Sequence, residues 1–355
     1  MAKKLFDLSE NLSEENLVKA QDISAKDIAV IGMGLNMPLA EDIDKFWDNL
    51  MKGVDCIHDL PSDRKEKISR MIDNNIFGLQ GCSTFPAGYI DGVDEFDYTF
   101  FKLTPHEASL MDPHQRLFLQ TAWQTFEDAG YSGEKLAGTK TGVYVGFNSW
   151  SYYQHMIWLL DKQSIALSMA GNLPSVIAGR ISYILDLKGP AMIIDTACSS
   201  SLVSIHLACR AIRSGECEQA LAGGVHVNLL PVESGVKLGI ESTDYRARTF
   251  DENSTGTGQG EGVAAVLLKP LSRAITDGDN IYAVIKGSSV NQDGRSIGLT
   301  APNAEAQEEV IKAAWLDSGI NPETLSYIEC HGTGTKLFLS VPKAMACWHS
   351  APLLI

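Results

Sequence analysis

The sequence predicts an α/β protein built on largely buried sheets, and three observations carry the prediction. Short apolar runs of strand length alternate with longer segments whose apolar residues recur at helical spacing. Glycine-bearing turns punctuate the boundaries between them. With 355 residues, 45% of them hydrophobic and 21% charged, the chain can bury a large core as one domain or two closely packed halves.

Each element follows from its own signal. Residues 1–26 are polar and mixed in charge, with a short amphipathic stretch around Leu12, Leu17 and Val18, and are expected to form a linker or docking segment. Residues 28–32 read as a strand followed by a glycine turn, where the globular fold should begin. The stretch Gly32-Met33-Gly34-Leu35-Asn36-Met37 carries part of a dinucleotide-binding glycine pattern. Met37 stands where the third glycine would be needed and Pro38 follows, which favours an ordinary turn. Residues 115–129 place Phe118, Ala122, Trp123, Phe126 and Ala129 on one face before Gly130, as an amphipathic helix should. Residues 142–146, 191–194, 220–225, 263–268 and 282–286 read as strands. A helix over 305–317 closes at Gly319, and 325–329 reads as the next strand.

Composition narrows the function. A net charge of −15 argues against nucleic acid as the main ligand, and an acidic protein partner would need a local basic patch. The N-terminus lacks a charged-then-apolar leader and no apolar run is long enough for a bilayer, so the expectation is a soluble cytoplasmic protein with no membrane contact. Seven scattered cysteines, without Cys-x-x-Cys or His-x-x-x-His spacing, suit neither a disulfide framework nor a zinc site. The glycine-rich stretch 255–262 lacks the Gly-Lys-Ser/Thr ending of a phosphate loop.

Two positions carry chemistry. In Asp195-Thr196-Ala197-Cys198-Ser199-Ser200-Ser201 a cysteine follows the strand run 191–194 and precedes a helical pattern at Leu202, Ile205, Cys209 and Ile212, with Ser214-Gly215 as its stop. Cys198 would sit at a strand-to-helix elbow, where free amide N–H groups and the positive end of the helix dipole stabilise negative charge. A buried, inert cysteine is the alternative. His331 follows the strand 325–329 in His331-Gly332-Thr333-Gly334-Thr335, 133 positions beyond Cys198. Ligand sites of open α/β sheets gather beyond the carboxyl ends of strands, so the two could meet. The glycines would let backbone approach a ligand, and Thr333 and Thr335 could hydrogen-bond it. A purely structural histidine is the alternative. Cys330 would point to the opposite face. His206 lies two turns along the cysteine helix as a packed or pocket-lining residue, while His106 and His114 belong to a polar segment with no link to the site.

Taken together, the blocks Met111-Asp112-Pro113-His114-Gln115-Arg116, Glu127-Asp128-Ala129-Gly130, Asp195 to Ser201, Ala222-Gly223-Gly224-Val225, Val290-Asn291-Gln292-Asp293-Gly294-Arg295, Leu299-Thr300-Ala301-Pro302-Asn303 and His331 to Thr335 resemble the β-ketoacyl synthase (ketosynthase) domains of modular polyketide synthases, within the thiolase-like superfamily. The resemblance spans about residues 28–337 and assigns 27–337 to the ketosynthase domain. It implies a thiolase-like layered αβαβα fold with the second half incomplete, a homodimer, neighbouring polyketide synthase domains, and acyl carrier protein as partner. It further implies acyl transfer to Cys198 and decarboxylative Claisen condensation with a malonyl-type extender, in polyketide or fatty acid biosynthesis. His331 would hydrogen-bond the extender's thioester oxygen, and Thr333 and Thr335 would contact the pantetheine arm. No metal or bound cofactor is implied, since the phosphopantetheine arrives on the carrier. Relatives that only decarboxylate carry glutamine in place of the nucleophile, so Cys198 implies a condensing role. After Leu337 the resemblance stops, and the family's lysine, second histidine and glycine-rich oxyanion loop have no counterpart in residues 338–355. That tail is expected to mark a frameshift, a gene-model artefact or a fragment, with condensation impaired. A non-catalytic dimerisation or carrier-binding fragment is the rival reading, and a cysteine hydrolase of the same superfamily a third.

Overall fold

The computed structural model describes residues 24–148, 160, 162–233, 239–296, 298, 302–335 and 353–354. The expected N-terminal segment, apart from 24–26, and the tail, apart from 353–354, lie outside the described residues. The strands in chain order are β1 (Ile28–Asn36), β2 (Ser83–Thr84), β3 (Thr141–Gly146), β4 (Ala191–Ile194), β5 (Gln219–His226), β6 (Val232–Glu233), β7 (Gly262–Pro270), β8 (Ala283–Ile285), β9 (Ser288–Ser289) and β10 (Leu353–Leu354). The helices are α1 (Ile43–Lys52), α2 (Ser62–Asp73), α3 (Pro105–Leu110), α4 (Pro113–Asp128), α5 (Lys162–Asn172), α6 (Pro174–Leu185), α7 (Ser200–Ser214), α8 (Leu271–Asp277) and α9 (Ala304–Ser318).

Six strands form one mixed sheet in the order β4-β3-β5-β7-β1-β8. β3 pairs in parallel with β4 and β5, whereas β7 and β1 join by antiparallel ladders to β5, to each other and to β8. Two short antiparallel pairs, β2 with β6 and β9 with β10, lie outside this sheet.

Side chains alternate across the strands and so supply two cores. Ala29, Ile31, Val143, Val145, Leu221, Val263 and Leu267 face α4, α6 and α8. Ile28, Val30, Tyr144, Ala220, Ala222 and Leu268 face α7 through Val203, Ala208 and Ile212. With helices on both faces, the strands are apolar at nearly every position, as expected of a buried sheet. Glu261 ties the core to its periphery: its carboxylate accepts from both Arg64 Nη atoms at 2.8 Å, from Ile90 N at 3.1 Å and from Asn228 N at 2.9 Å.

The helix ends follow the expected chemistry. α7 stops at Gly215, whose φ of 78° lets its N–H cap the carbonyls of Ala211 and Ile212. α9 starts at Asn303, whose side chain accepts from Glu305 N and Ala306 N, and closes at Gly319.

Three expectations are corrected. Residues 32–37 do not turn, because β1 runs on to Asn36 with a register shift between Val30 and Gly32. A Cβ on Gly32 would lie 2.5 Å from the Thr125 carbonyl oxygen, and one on Gly34 2.6 Å from Thr125 Oγ1, so both glycines serve the close approach of α4 to the strand. The segment 325–329 is not a strand: a 3-10 turn at Pro322–Thr324 gives way to irregular backbone, and Tyr327 is 75% exposed. A strand needs a neighbour for its N–H and C=O groups, and among the described residues none runs beside it. His114, although it belongs to a polar segment of the sequence, is not exposed as that setting suggests. It is fully buried on α4, its ring bridging Asp112 Oδ1 at 2.7 Å and the Val227 backbone N–H at 3.0 Å.

Candidate active site

Cys198 lies on a 3-10 turn, Ala197–Ser199, between the end of β4 and the start of α7. The elbow predicted from the sequence is therefore present, although the helix begins two residues earlier than the apolar pattern indicated. Ala197 takes a left-handed backbone with φ of 54°, a strained conformation for a residue with a Cβ. Local hydrogen bonds hold it there. Ala197 N donates to Asp195 Oδ1 at 3.1 Å, Thr196 N donates to Ser200 Oγ at 2.9 Å, Ser200 Oγ donates to Ala197 O at 2.7 Å, and Ser199 Oγ donates to Thr196 O at 2.8 Å. The serines flanking the thiol are thus engaged in shaping the turn.

Two glycines bring the elbow onto the sheet. A Cβ on Gly146, at the end of β3, would lie 2.8 Å from Ser200 C and from Ser201 N. One on Gly224, near the end of β5, would lie 3.1 Å from Ser201 Cβ. The start of α7 therefore rests directly on the carboxyl ends of two parallel strands, the place where α/β sheets gather ligands. Cys198 is exposed, whereas Cys209 and Cys217 are buried and their thiols are pushed up to about 12 and about 11 by desolvation. The thiol at 198 is thus not a buried one.

His331 is also exposed, yet the protein mass around its ring desolvates it and lowers its pKa from the ordinary imidazole value. Its segment is seated on the loop 248–256. Thr249 Oγ1 donates to Gly332 O at 2.7 Å, and Ser254 Oγ donates to Gly334 O. The hydroxyls of Thr333 and Thr335 lie 3.1 Å apart, within hydrogen-bond distance. Among the described residues no hydrogen bond joins Cys198 to His331. Thr249, Ser254 and Gly146 carried no signal of their own, and Gly224 was visible only as part of a motif, since their importance lies in what packs against them.

Other positions separate from this site. His206 is half-buried, with Nδ1 2.9 Å from Ser288 Oγ, and desolvation followed by the charges of Arg210 and Arg213 lowers its pKa. His226, exposed at the end of β5, is also lowered, by desolvation and then by His114. A cleft of about 1140 Å³ between α1 and α4 includes neither Cys198 nor His331. Its Asp42, Asp44, Asp48, Asp91 and Glu95 make it a poor host for an anionic ligand, so the chemistry at the strand ends outweighs the size of the cleft. Among the described residues no cluster of three or more His, Cys, Asp or Glu side chains could hold a metal, and no helix is long and apolar enough to cross a membrane.

Comparison with known proteins places these features in a family. Residues 25–274 match the family described as "Beta-ketoacyl synthase, N-terminal domain" and residues 282–338 match "Beta-ketoacyl synthase, C-terminal domain". Polyketide synthase PksL of Bacillus subtilis is 42% identical over 338 residues, covering 92% of this chain and 7% of that protein. A phenolphthiocerol/phthiocerol polyketide synthase of Mycobacterium tuberculosis is 42% identical over 321 residues, covering 88% of this chain and 20% of the relative. Among solved structures, the ketosynthase from module 6 of the bacillaene synthase of Bacillus subtilis superposes with a TM-score of 0.75 at 40% identity, covering 87% of this chain and 51% of that one. The oxazolomycin ketosynthase domain of Streptomyces albus gives 0.76 at 39%, covering 88% and 54%. The chain thus spans about half the length of these solved ketosynthases and a small part of the synthases.

Proposed function

Because the chain belongs to the β-ketoacyl synthase family, with its thiolase-like fold, we propose that it accepts an acyl group on Cys198 and joins it to a malonyl-type extender by decarboxylative Claisen condensation. The observation that carries this reading is the exposed thiol at the start of a helix resting on the carboxyl ends of β3 and β5.

In this reading the Cys198 thiolate attacks the carbonyl carbon of a carrier-bound thioester and expels the pantetheine thiolate, leaving an acyl-cysteine. The malonyl-type extender then loses CO2, and the electron pair of the broken C–C bond becomes the enolate of its thioester. The enolate carbon attacks the acyl-cysteine, a new C–C bond forms, and the Cys198 thiolate departs. Amide N–H groups at the start of α7 are suited to the negative oxygen that develops at the acyl carbon. His331, whose pKa is lowered by desolvation, would donate a hydrogen bond to the extender's thioester oxygen as enolate charge develops. Thr333 and Thr335 offer hydroxyls to the pantetheine arm. That arm arrives on acyl carrier protein, from neighbouring polyketide synthase domains, and no resident cofactor enters these steps. The reading as a non-catalytic interaction fragment is not favoured.

A homodimer and a cytoplasmic setting complete the proposal. Among the described residues β4 ends the sheet with a single neighbour, Met192 on it is 40% exposed, and Tyr183 on the adjoining α6 is 85% exposed. An open strand edge flanked by apolar side chains suits pairing with a second copy. Six free thiols among the described residues, one of them the nucleophile, suit a reducing compartment.

The deciding measurement is intact mass after mixing the protein with an acyl thioester of N-acetylcysteamine, beside a Cys198→Ala variant. An acyl adduct on the first and none on the second is expected. Folded protein that gains no adduct, or a variant that gains the same one, overturns the reading.

A further inference from the structure

We propose that Thr249 and Ser254 are positioning residues that hold His331 in place for the decarboxylative step, by fastening the two backbone carbonyls on either side of Thr333. The proposal rests on the role given to His331 above and explains how a histidine outside any strand keeps a defined place.

Among the described residues, no strand ladder orients the segment carrying His331. Residues 325–335 are irregular, and Tyr327 and Ile328 are exposed. Its attachment comes instead from a loop some eighty positions earlier. Thr249 Oγ1 donates to Gly332 O at 2.7 Å, and Ser254 Oγ, on a residue only 2% exposed, donates to Gly334 O. Those bonds fix the peptide planes after Gly332 and after Gly334, so the backbone beside His331 cannot swing without breaking one of them.

The glycines exist for this contact. A Cβ at 332 would lie 1.9 Å from Thr249 Cγ2. Gly334 has a left-handed φ of 68°, and a Cβ there would lie 2.7 Å from Gly256 O. The sequence His331-Gly332-Thr333-Gly334-Thr335 is therefore built to close, glycine by glycine, onto the loop 248–256.

That loop is itself braced. Arg248 donates through both Nη atoms to the Asp244 carboxylate, which also accepts from Ser242 Oγ at 2.8 Å. Ser254 N donates to Asp251 O at 3.1 Å and Asn253 N to Asp251 Oδ1 at 2.7 Å. At its base, Ser242 N donates to Thr257 O at 2.8 Å and Thr257 N to Ile240 O at 2.7 Å. A braced loop with two hydroxyls facing a segment that lacks a ladder is the arrangement that orients a catalytic group through its backbone.

The test compares Thr249→Val, Thr249→Ser and Ser254→Ala with the unaltered chain and with His331→Ala. Thr249 is exposed, so its valine variant should fold even if Ser254→Ala does not. CO2 release from malonyl-N-acetylcysteamine and acylation of Cys198 are measured in parallel, and the His331 ring resonance is followed by NMR. Thr249→Val should lose about tenfold in CO2 release, as should Ser254→Ala, with a much smaller change in acylation, and Thr249→Ser should recover most of the loss. The His331 resonance should move or broaden in Thr249→Val and keep its place in Thr249→Ser. Thr249→Val releasing CO2 at the unaltered rate, or losing both steps equally, overturns the positioning role while leaving His331 its own. Unaltered protein that releases CO2 no faster than His331→Ala removes the role of His331 and this proposal with it.

Discussion

Replacing Gly146 by alanine tests whether the seat of the nucleophile is set by backbone contact. The new Cβ would lie 2.8 Å from Ser200 C and Ser201 N, and 3.0 Å from Ser200 Cβ. Restoring an ordinary 3.4 Å contact requires the first turn of α7 to recede by about 0.6 Å, because two of the opposing atoms are backbone and cannot rotate away. Overpacking of this kind costs about 1–3 kcal/mol in stability. Cys198 precedes the displaced atoms by two and three residues, so the thiol moves with them. A misplacement of about 1 Å can cost about a hundredfold in rate, and the smaller shift should cost about tenfold. Gly224→Ala, whose nearest contact is Ser201 Cβ at 3.1 Å, should be milder on both counts. The assay is the time course of Cys198 acylation by intact mass, beside urea unfolding. Acylation of Gly146→Ala at the unaltered rate with an unchanged unfolding midpoint would refute the reasoning, as would a reversal of the order of the two variants.

Four further outcomes are expected. Glu261→Ala should destabilise by about 3–5 kcal/mol, because it strands the Arg64 guanidinium and the N–H groups of Ile90 and Asn228; a urea midpoint within about 0.3 M of the unaltered protein would contradict this. Brief treatment with iodoacetamide should label Cys198 well before Cys209 or Cys217, read by peptide mapping, and equal labelling in folded protein would count against the exposed elbow. Met192→Glu with Tyr183→Glu should yield monomers by light scattering if β4 is the dimer edge, whereas a persistent dimer would place the interface elsewhere. Acidification should also destabilise the fold. His206, His226 and His331 have lowered pKa values, so below about pH 6.5 the unfolded chain binds more protons than the native one, and stability falls as pH drops toward the lowered values. A urea midpoint that rises between pH 7.5 and 5.5 would reverse that sign.

Much of the fold was legible because its signals are local. The run 191–194 coincides with β4, the apolar spacing from Leu202 lies within α7, and Gly215 and Gly319 end their helices as glycines do. What escaped depends on what lies across a contact. Gly32 and Gly34 look like turn residues in sequence, yet they permit α4 to press on β1. Residues 325–329 have strand-like composition but, among the described residues, no neighbouring strand to bond. His114 sits among polar letters and is buried because Asp112 and the Val227 backbone satisfy it. Of the candidate site, Cys198 and His331 were visible as reactive types at element ends. Thr249 and Ser254 were not, since hydroxyl residues are common and these act only through carbonyls far along the chain.

The strand order β4-β3-β5-β7-β1-β8 also governs how the protein must be made. β1 precedes every other described strand, yet its described sheet partners, β7 and β8, are encoded beyond residue 261. At about 5–20 residues per second, β1 and its glycine-bearing face wait for tens of seconds on the ribosome with open edges on both sides. Arg64 waits as long for Glu261. The parallel trio β3, β4 and β5, with α7 between the last two in sequence, can assemble earlier from closer segments. Chaperone cover while residues 36 to 262 are being made should therefore raise the yield of folded chain, and slower translation across that stretch should lower it.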